Sequence, residues 1–582
     1  MALASLAFAA FGQEPSASLR QADAAYKAGQ AALAARDLKA ARQQFEKVVH
    51  LAPQVEQGHS ALGAVMVSLG ETAAGIRELE KALSIDPKDG NAQLNLAVAY
   101  EQTGSTAKAL PLFAKAEASA SAANRTLPSY ALASYARALV RTQPEAALAK
   151  MQAAVAEEPN NADLHDQLGS LHAQKQEWPA AEDQFAAATR LNPTFAAAHL
   201  HLGLALQAQH KPGGLEELTQ AAQLAPTDVT IGLELAKALA DADTPDSDQK
   251  TIAVLQPLLA AHPDNTAAAY QLALALQRTG SVAAAIPLFE KTIAADPKNA
   301  DAQANLGMAL TQAQRAKDAV PHLQQAVKLA PNMVNAHQDL AAAYIQLNQF
   351  DDAVAQLRVA IQLAPDSPAL HYNLGVAFKM QDDATSAIPE LETAEKQNPS
   401  GSEAPYLLGV LYMQTGRYDD AARELDKSLK LQPQNGDGWA TLGSVYARLD
   451  KLPEATAALN EAIRQLPKQP DPHLTLATVL IKQNQPAEAA AERKKGAELM
   501  RANMNRQRAE VATNSANSLL QNGKVDDAAA QFKEALSFDP SYPEAHLGLA
   551  AALERQGNPA EANAERQKAQ SLTPSPATMP KP

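Results

Sequence analysis

Residues 436–467 read GDGWATLGSVYARLDKLPEATAALNEAIRQLP. Trp439, Leu442 and Tyr446 recur at the three- and four-residue spacing that places side chains on one face of a helix, with Gly443 beside them. Ala455, Leu459 and Ala462 repeat that spacing, so a second short helix follows the first. Pro467 closes the stretch, because proline lacks a backbone donor and disfavours a helical residue before it. With Gly436 counted as position 1, the marked residues fall at positions 4, 7, 8, 11, 20, 24, 27 and 32.

The same pattern recurs along the chain. Pro263, Pro297, Pro331, Pro365, Pro399, Pro433 and Pro467 are each 34 residues apart, and Pro53 to Pro87 and Pro159 to Pro193 keep the interval. A fixed period of this length marks a solenoid. Leu340, Ala341, Tyr344, Ala353, Leu357, Ala360 and Pro365 fill the marked positions in one copy, and Leu374, Gly375, Phe378, Ala387, Leu391, Ala394 and Pro399 in the next. In period and residue types these copies resemble the tetratricopeptide repeat, a helix-turn-helix unit. Large apolar groups at 4, 7, 11, 24 and 27 meet between the helices, and small residues at 8 and 20 let the axes approach.

The frame starts repeats near residues 22, 56, 90, 128, 162, 196, 229, 266, 300, 334, 368, 402, 436, 470, 509 and 543. The expected fold is therefore all-α, a right-handed superhelical solenoid of about sixteen helix-turn-helix repeats over residues 22–576, behind an apolar segment at 1–21 and ahead of a proline-rich flexible tail at 577–582. Extra residues at Asn124–Leu127, Asp241–Lys250 and Met500–Arg508 should be loops or extended helices that change the local curvature. Pro111, Pro287, Pro321 and Pro389 fall at position 22, which places them near the start of the second helix, where amides have no intrahelical partner to lose. The acidic pairs Asp351 and Asp352, Asp419 and Asp420, and Asp526 and Asp527 sit in the same turn and are expected to cap its amides and complement the helix dipole.

Composition narrows the function. Aromatics make up only 4% of the 582 residues, which suits helices packed through small side chains. The formal net charge of -14 argues against a general nucleic-acid binder, and the absence of cysteine removes disulfides, thiolate metal sites and a cysteine nucleophile together. The run Ala2–Phe11 has the length of a signal-peptide core but no basic residue ahead of it, so it reads either as a shortened signal or as a docked N-terminal helix. The expected location is the periplasm or the cell exterior in the first case, and the cytoplasm in the second. No stretch has the length of a transmembrane helix, so no integral membrane segment is expected in the mature chain.

The motifs of catalysis and cofactor binding are missing from the sequence: there is no glycine-rich phosphate loop, His-Glu-x-x-His helix or nucleophile elbow. No enzyme activity, cofactor or metal is expected. His59, His165, His199, His337, His371, His473 and His546 all fall at position 4, the slot of Trp439, and belong to different repeats, so a packing role is expected for them. Asp241, Asp243, Asp246 and Asp248 alternate like cation ligands but lack the glycine and terminal glutamate of a calcium loop, so they read as a solvated acidic loop. The basic stretch Arg493, Lys494, Lys495, Arg501, Arg506 and Arg508 is interleaved with Glu492 and Glu498 and reads as a solvated helix.

Tetratricopeptide proteins generally bind peptides and protein segments along the concave surface lined by their first helices. The resemblance therefore implies a noncatalytic scaffold or adaptor whose partners are other proteins or peptides; self-association is compatible with it, and the alternative is a structural part of an export or polysaccharide-secretion assembly. Positions 2, 5, 6, 9, 12 and 13 are those left free by packing. Asn95, Asn305 and Asn373 occupy position 6, where a side-chain amide can donate to and accept from an extended backbone, and they are the expected partner-binding residues. They resemble the asparagine ladder in the tetratricopeptide arm of protein O-glycosyltransferases, interrupted here by Gln167, Gln271, Asp339 and Thr441 at the same position. The Lys, Arg and Asn set of a carboxylate clamp does not assemble.

Overall fold

A computed structural model describes residues 17–242 and 244–572. The Ala2–Phe11 run, Asp243 and the tail at 577–582 lie outside the described residues. Within them the chain forms 31 helices and no strand. It divides into two compact units, one ending at Pro297 and the other beginning at Lys298. In each, consecutive helices pack as antiparallel pairs that follow the 34-residue frame.

Local chemistry sets the helix boundaries. Side chains of Asp89, Asn161, Asn265, Asn299 and Asn435, just before first helices, accept from backbone amides of the opening turn. The first helix ends in a left-handed residue at position 15, for example Gly416 at φ 78° and Asn348 at φ 58°. In the 402 repeat Arg417 N–H then returns to the Tyr412 carbonyl at 2.7 Å, which satisfies an end carbonyl and turns the chain back.

The contact between paired helices is as close as the small residues imply. A Cβ built on Gly307 would lie 2.3 Å from Leu323 Cγ, and one on Gly375 or Gly443 would lie 2.6 Å from Cγ of Leu391 or Leu459. Leu323, Leu391 and Leu459 are fully buried against these glycines. Burial of each such leucine contributes about 1.5–3 kcal/mol, repeated from pair to pair, so stability is spread along the chain rather than gathered in one core.

Two expectations about the second helix need correction. Pro111, Pro287, Pro321 and Pro389 stand inside their helices, whose first residues are Thr106, Val282, Ala316 and Ala384, a full turn deeper than the free amides. Each proline removes the donor for the carbonyl four residues back, and those carbonyls belong to exposed residues, Ala107, Ala283, Lys317 and Thr385, where water can replace it. The acidic pairs do occupy first turns, but in the helices Phe350–Leu363, Tyr418–Leu431 and Val525–Phe538 no side-chain cap is formed. Asp351 and Asp526 instead accept from Gln381 and Gln556 of the following repeat, each at 2.7 Å, so they fasten neighbours together. The dipole contribution remains; the capping role does not.

The extra residues at Met500–Arg508 form neither loop nor break. They are the middle of a 36-residue helix, Pro486–Gln521, whose ends pack on the neighbouring helices Pro470–Lys482 and Val525–Phe538.

Candidate functional site

Two rows of side chains run along the first helices, two residues apart, and they differ in how their polar groups are used. The position-4 row is closed. Nε2 of His59, His165, His199, His337, His371 and His546 lies 3.0–3.1 Å from the carbonyl of Pro53, Pro159, Pro193, Pro331, Pro365 and Pro540, the proline that ends the preceding repeat. A carbonyl only accepts, so the nitrogen facing it carries the hydrogen. Nδ1 of the same rings meets a Glu or Gln of the second helix, such as Glu390 for His371 at 2.7 Å and Gln356 for His337 at 2.7 Å. Trp439 Nε1 donates to the Pro433 carbonyl at 2.9 Å, and Gln93 Nε2 to that of Pro87 at 2.7 Å. An N–H on a side chain of the right reach is what histidine, tryptophan and glutamine share at position 4; Ala25, Ala131, Gly232, Ala269, Pro405 and Ala512 fill the slot in other repeats without it. The expected packing role of the histidines is real but incomplete, since each one bonded in this way also latches one repeat to the next.

The position-6 row is open in part. Asn305, Asp339 and Asn373 are half-buried on three successive first helices of the second compact unit, Ala300–Gln312, Val334–Gln346 and Pro368–Met380. Asn95 is also half-buried and stands in the first unit. Other members of the row are internally engaged in some repeats. Gln167 donates to Asp163 and accepts from Arg137, and Thr441 Oγ1 donates to the Asp437 carbonyl at 2.8 Å. Asp339 and Asn373 form no hydrogen bond or ion pair with the described residues, and burial pushes the Asp339 carboxyl up to about 6.

Position 5 adds two aromatics that sequence reading passed over. Tyr372 and Tyr406 are half-buried, and burial raises both phenols, with Glu403 adding to the shift of Tyr372 and Asp437 to that of Tyr406. Their signal was available: tyrosine recurs at position 5 in a chain poor in aromatics, at Tyr26, Tyr270, Tyr372 and Tyr406, and the first two pack on Phe45 and Phe289 of the second helix. Beneath the row, Met308, Val376 and Val410 at position 9 supply a half-buried apolar strip.

Not every position expected to be free is so. Ala304 at position 5 and Thr311 at position 12 are buried. At position 13, Gln346 and Arg555 donate to the carbonyls of Thr311 and Leu520 on the preceding first helix, at 3.0 and 2.7 Å. These side chains clasp repeat to repeat and are not available to a partner.

The charged clusters are also tied into the fold. Asp248 pairs with Arg278 at 2.6 Å and Asp246 with Lys250 at 2.8 Å; the Lys250 bond holds the Asp246 carboxyl below its usual range. Among the described residues no group of three or more histidine or acidic side chains is placed to hold a metal ion. Arg506 pairs with Asp539 at 3.0 Å and lies over the Tyr542 ring, while Arg493, Lys494, Lys495 and Arg501 are exposed on the long helix.

A helical repeat array with a latched row and an open row is the architecture of a protein-protein interaction scaffold. A family model described as tetratricopeptide repeat matches residues 61–124, 167–229, 252–300, 270–334 and 406–470, and a second, described as TPR repeat, matches 341–382 and 516–557. The chain belongs to the tetratricopeptide repeat proteins, a family of generally noncatalytic scaffolds that bind other proteins or peptides. No curated protein matches the sequence. Among solved structures it is similar to YrrB, described as a TPR protein with an unusual peptide-binding site, at 21% identity over 32% of this chain and 95% of that one, with a TM-score of 0.29. It is similar to the APC/C hetero-tetramer Cut9-Hcn1 at 15% identity over 92% and 96%, TM-score 0.32, and to MamA from Desulfovibrio magneticus RS-1 at 21% over 29% and 95%, TM-score 0.28. No described helix is long and apolar enough to cross a membrane.

Proposed function

We propose that the protein is a noncatalytic adaptor that binds an extended segment of another polypeptide along the first helices of repeats 300 to 402. One observation carries this reading: Asp339 and Asn373 are half-buried on adjacent first helices with no internal partner. Partly buried polar groups without partners are costly to a fold, about 1–3 kcal/mol each when fully desolvated, and a bound backbone or side chain would satisfy them. Tyr372 and Val376 beside them offer the apolar area that peptide grooves need.

The test is selection of binders from a displayed peptide library on the purified full chain, followed by photo-crosslinking of a selected peptide. Benzoylphenylalanine at Val376 should capture it, and the same group at Gln362, exposed on the second helix Phe350–Leu363, should not. Capture from Gln362 alone, or a library without binders, removes the reading. For location we propose the cell envelope, on the strength of the Ala2–Phe11 run; mass spectrometry of the N-terminus of the cellular protein tests it, with a start near Gln13 expected and an intact Met1 contradicting it.

A further inference from the structure

We infer that the carboxylate of Asp339 is a selectivity point for a positively charged side chain, so that the bound segment carries an arginine or lysine between residues held by their backbone at Asn305 and Asn373. The inference rests on the groove reading above and names the chemistry of its partner.

Three observations converge on Asp339. First, it is the charged member of the position-6 row within the second compact unit, placed between Asn305 on the preceding first helix and Asn373 on the following one. An amide can donate to and accept from a peptide backbone, whereas an ionised carboxylate only accepts and so asks for a donor, best a charged one. Second, no cation among the described residues meets it. Every histidine of the position-4 row that faces a glutamate is bonded to it, and Asp166, one position earlier in its own repeat, is bonded to His201 at 2.7 Å; Asp339 is the one position-6 carboxylate of the second unit and has no such partner among the described residues, while Glu234 holds the same position in the first unit. Third, it is half-buried, so protein crowds it while solvent still reaches it. Burial is the whole cause of its raised pKa, so no neighbouring charge is offsetting the cost.

The aromatic and acidic surroundings favour the same occupant. Tyr372 and Tyr406 are half-buried on the next two first helices, and an arginine or lysine stem packs well on aromatic rings. Glu403 and Asp437, near enough to raise the two phenols, add negative potential on that side. Packed helices stand about 8–10 Å apart and an extended chain rises about 3.3 Å per residue, so one repeat corresponds to about three peptide residues. A cation at one peptide position with backbone contacts three residues to either side therefore fits the Asn305, Asp339, Asn373 sequence.

The experiment uses the full chain and two fluorescent decapeptides, acetylated and amidated, of alternating serine and leucine with a central arginine or, in its twin, citrulline, which keeps the shape and removes the charge. Fluorescence anisotropy should show the arginine peptide binding at least about tenfold tighter than its twin. Asp339→Asn should erase that difference and leave the citrulline affinity unchanged. The double variant Asp339→Asn with Asn373→Asp should restore the preference for a peptide whose arginine is moved by three residues. Equal affinity of the two peptides for the unaltered chain, or a preference that survives Asp339→Asn, overturns the inference while leaving the groove reading in place. Binding of neither peptide at millimolar concentration overturns both.

Discussion

Position 4 and position 6 lie on the same helices, half a turn apart, and treat polar side chains in opposite ways. At position 4 His337 uses both ring nitrogens, one on the Pro331 carbonyl and one on Gln356, and is almost wholly buried. At position 6 of that helix Asp339 is half-buried and uses neither oxygen. A stabilising device satisfies its own hydrogen bonds; a recognition device leaves them for something else. The difference separates what holds the array together from what the array is for.

Breaking the holding side should cost most. Gly375→Val drives a branched side chain into Leu391, whose Cγ already lies 2.6 Å from a built Cβ, and should destabilise the second unit by about 3 kcal/mol in urea unfolding. His337→Ala strands a carbonyl and an amide together, and a loss of about 2–3 kcal/mol is expected in the same measurement, with peptide affinity unaffected once the chain is folded. No loss on removing His337 would refute the latch.

The recognition side should respond with the opposite sign. The folded state holds the Asp339 proton up to about pH 6, above the ordinary carboxylate value, so it takes up that proton before the unfolded state does. The resulting cost to stability is fully present above about pH 6, shrinks as pH falls through that value, and is absent below about pH 4. Asp339→Asn should therefore stabilise by about 1–3 kcal/mol at pH 7 and by almost nothing at pH 4, measured by paired urea titrations. A destabilised variant at pH 7 would mean that the carboxylate has a structural partner after all. The smallest effect belongs to an exchange within the latch: His322 Nδ1 meets Gln303 at 2.8 Å with the two residue types reversed, so Gln303→His with His322→Gln should cost under about 1 kcal/mol while either single change costs more.

The sequence carried the array almost entirely, because period, glycine at position 8 and proline at position 32 are local features repeated many times. It also placed the histidines at position 4 correctly, though not their bonds, which join residues 19 apart on the second helix to a carbonyl in the previous repeat. The acidic pairs were misjudged for the same reason: a carboxylate beside a helix start fits a cap, and only the packed neighbour shows that Asp351 faces Gln381. The candidate site was half legible. Asn305 and Asn373 were found by residue type, but Asp339 looked like an interruption of their ladder, since its half-burial without a partner depends on the repeats stacked to either side of it and not on its own.

The central claim, that position 6 of repeats 300 to 368 recognises while position 4 holds, is tested most directly by the affinity of the arginine decapeptide for the full chain carrying Asn305→Ala, Asp339→Ala and Asn373→Ala together, with its urea midpoint recorded alongside. The account predicts affinity reduced by about a hundredfold or more with the midpoint unchanged or raised. Unaltered affinity with an unaltered midpoint would contradict it.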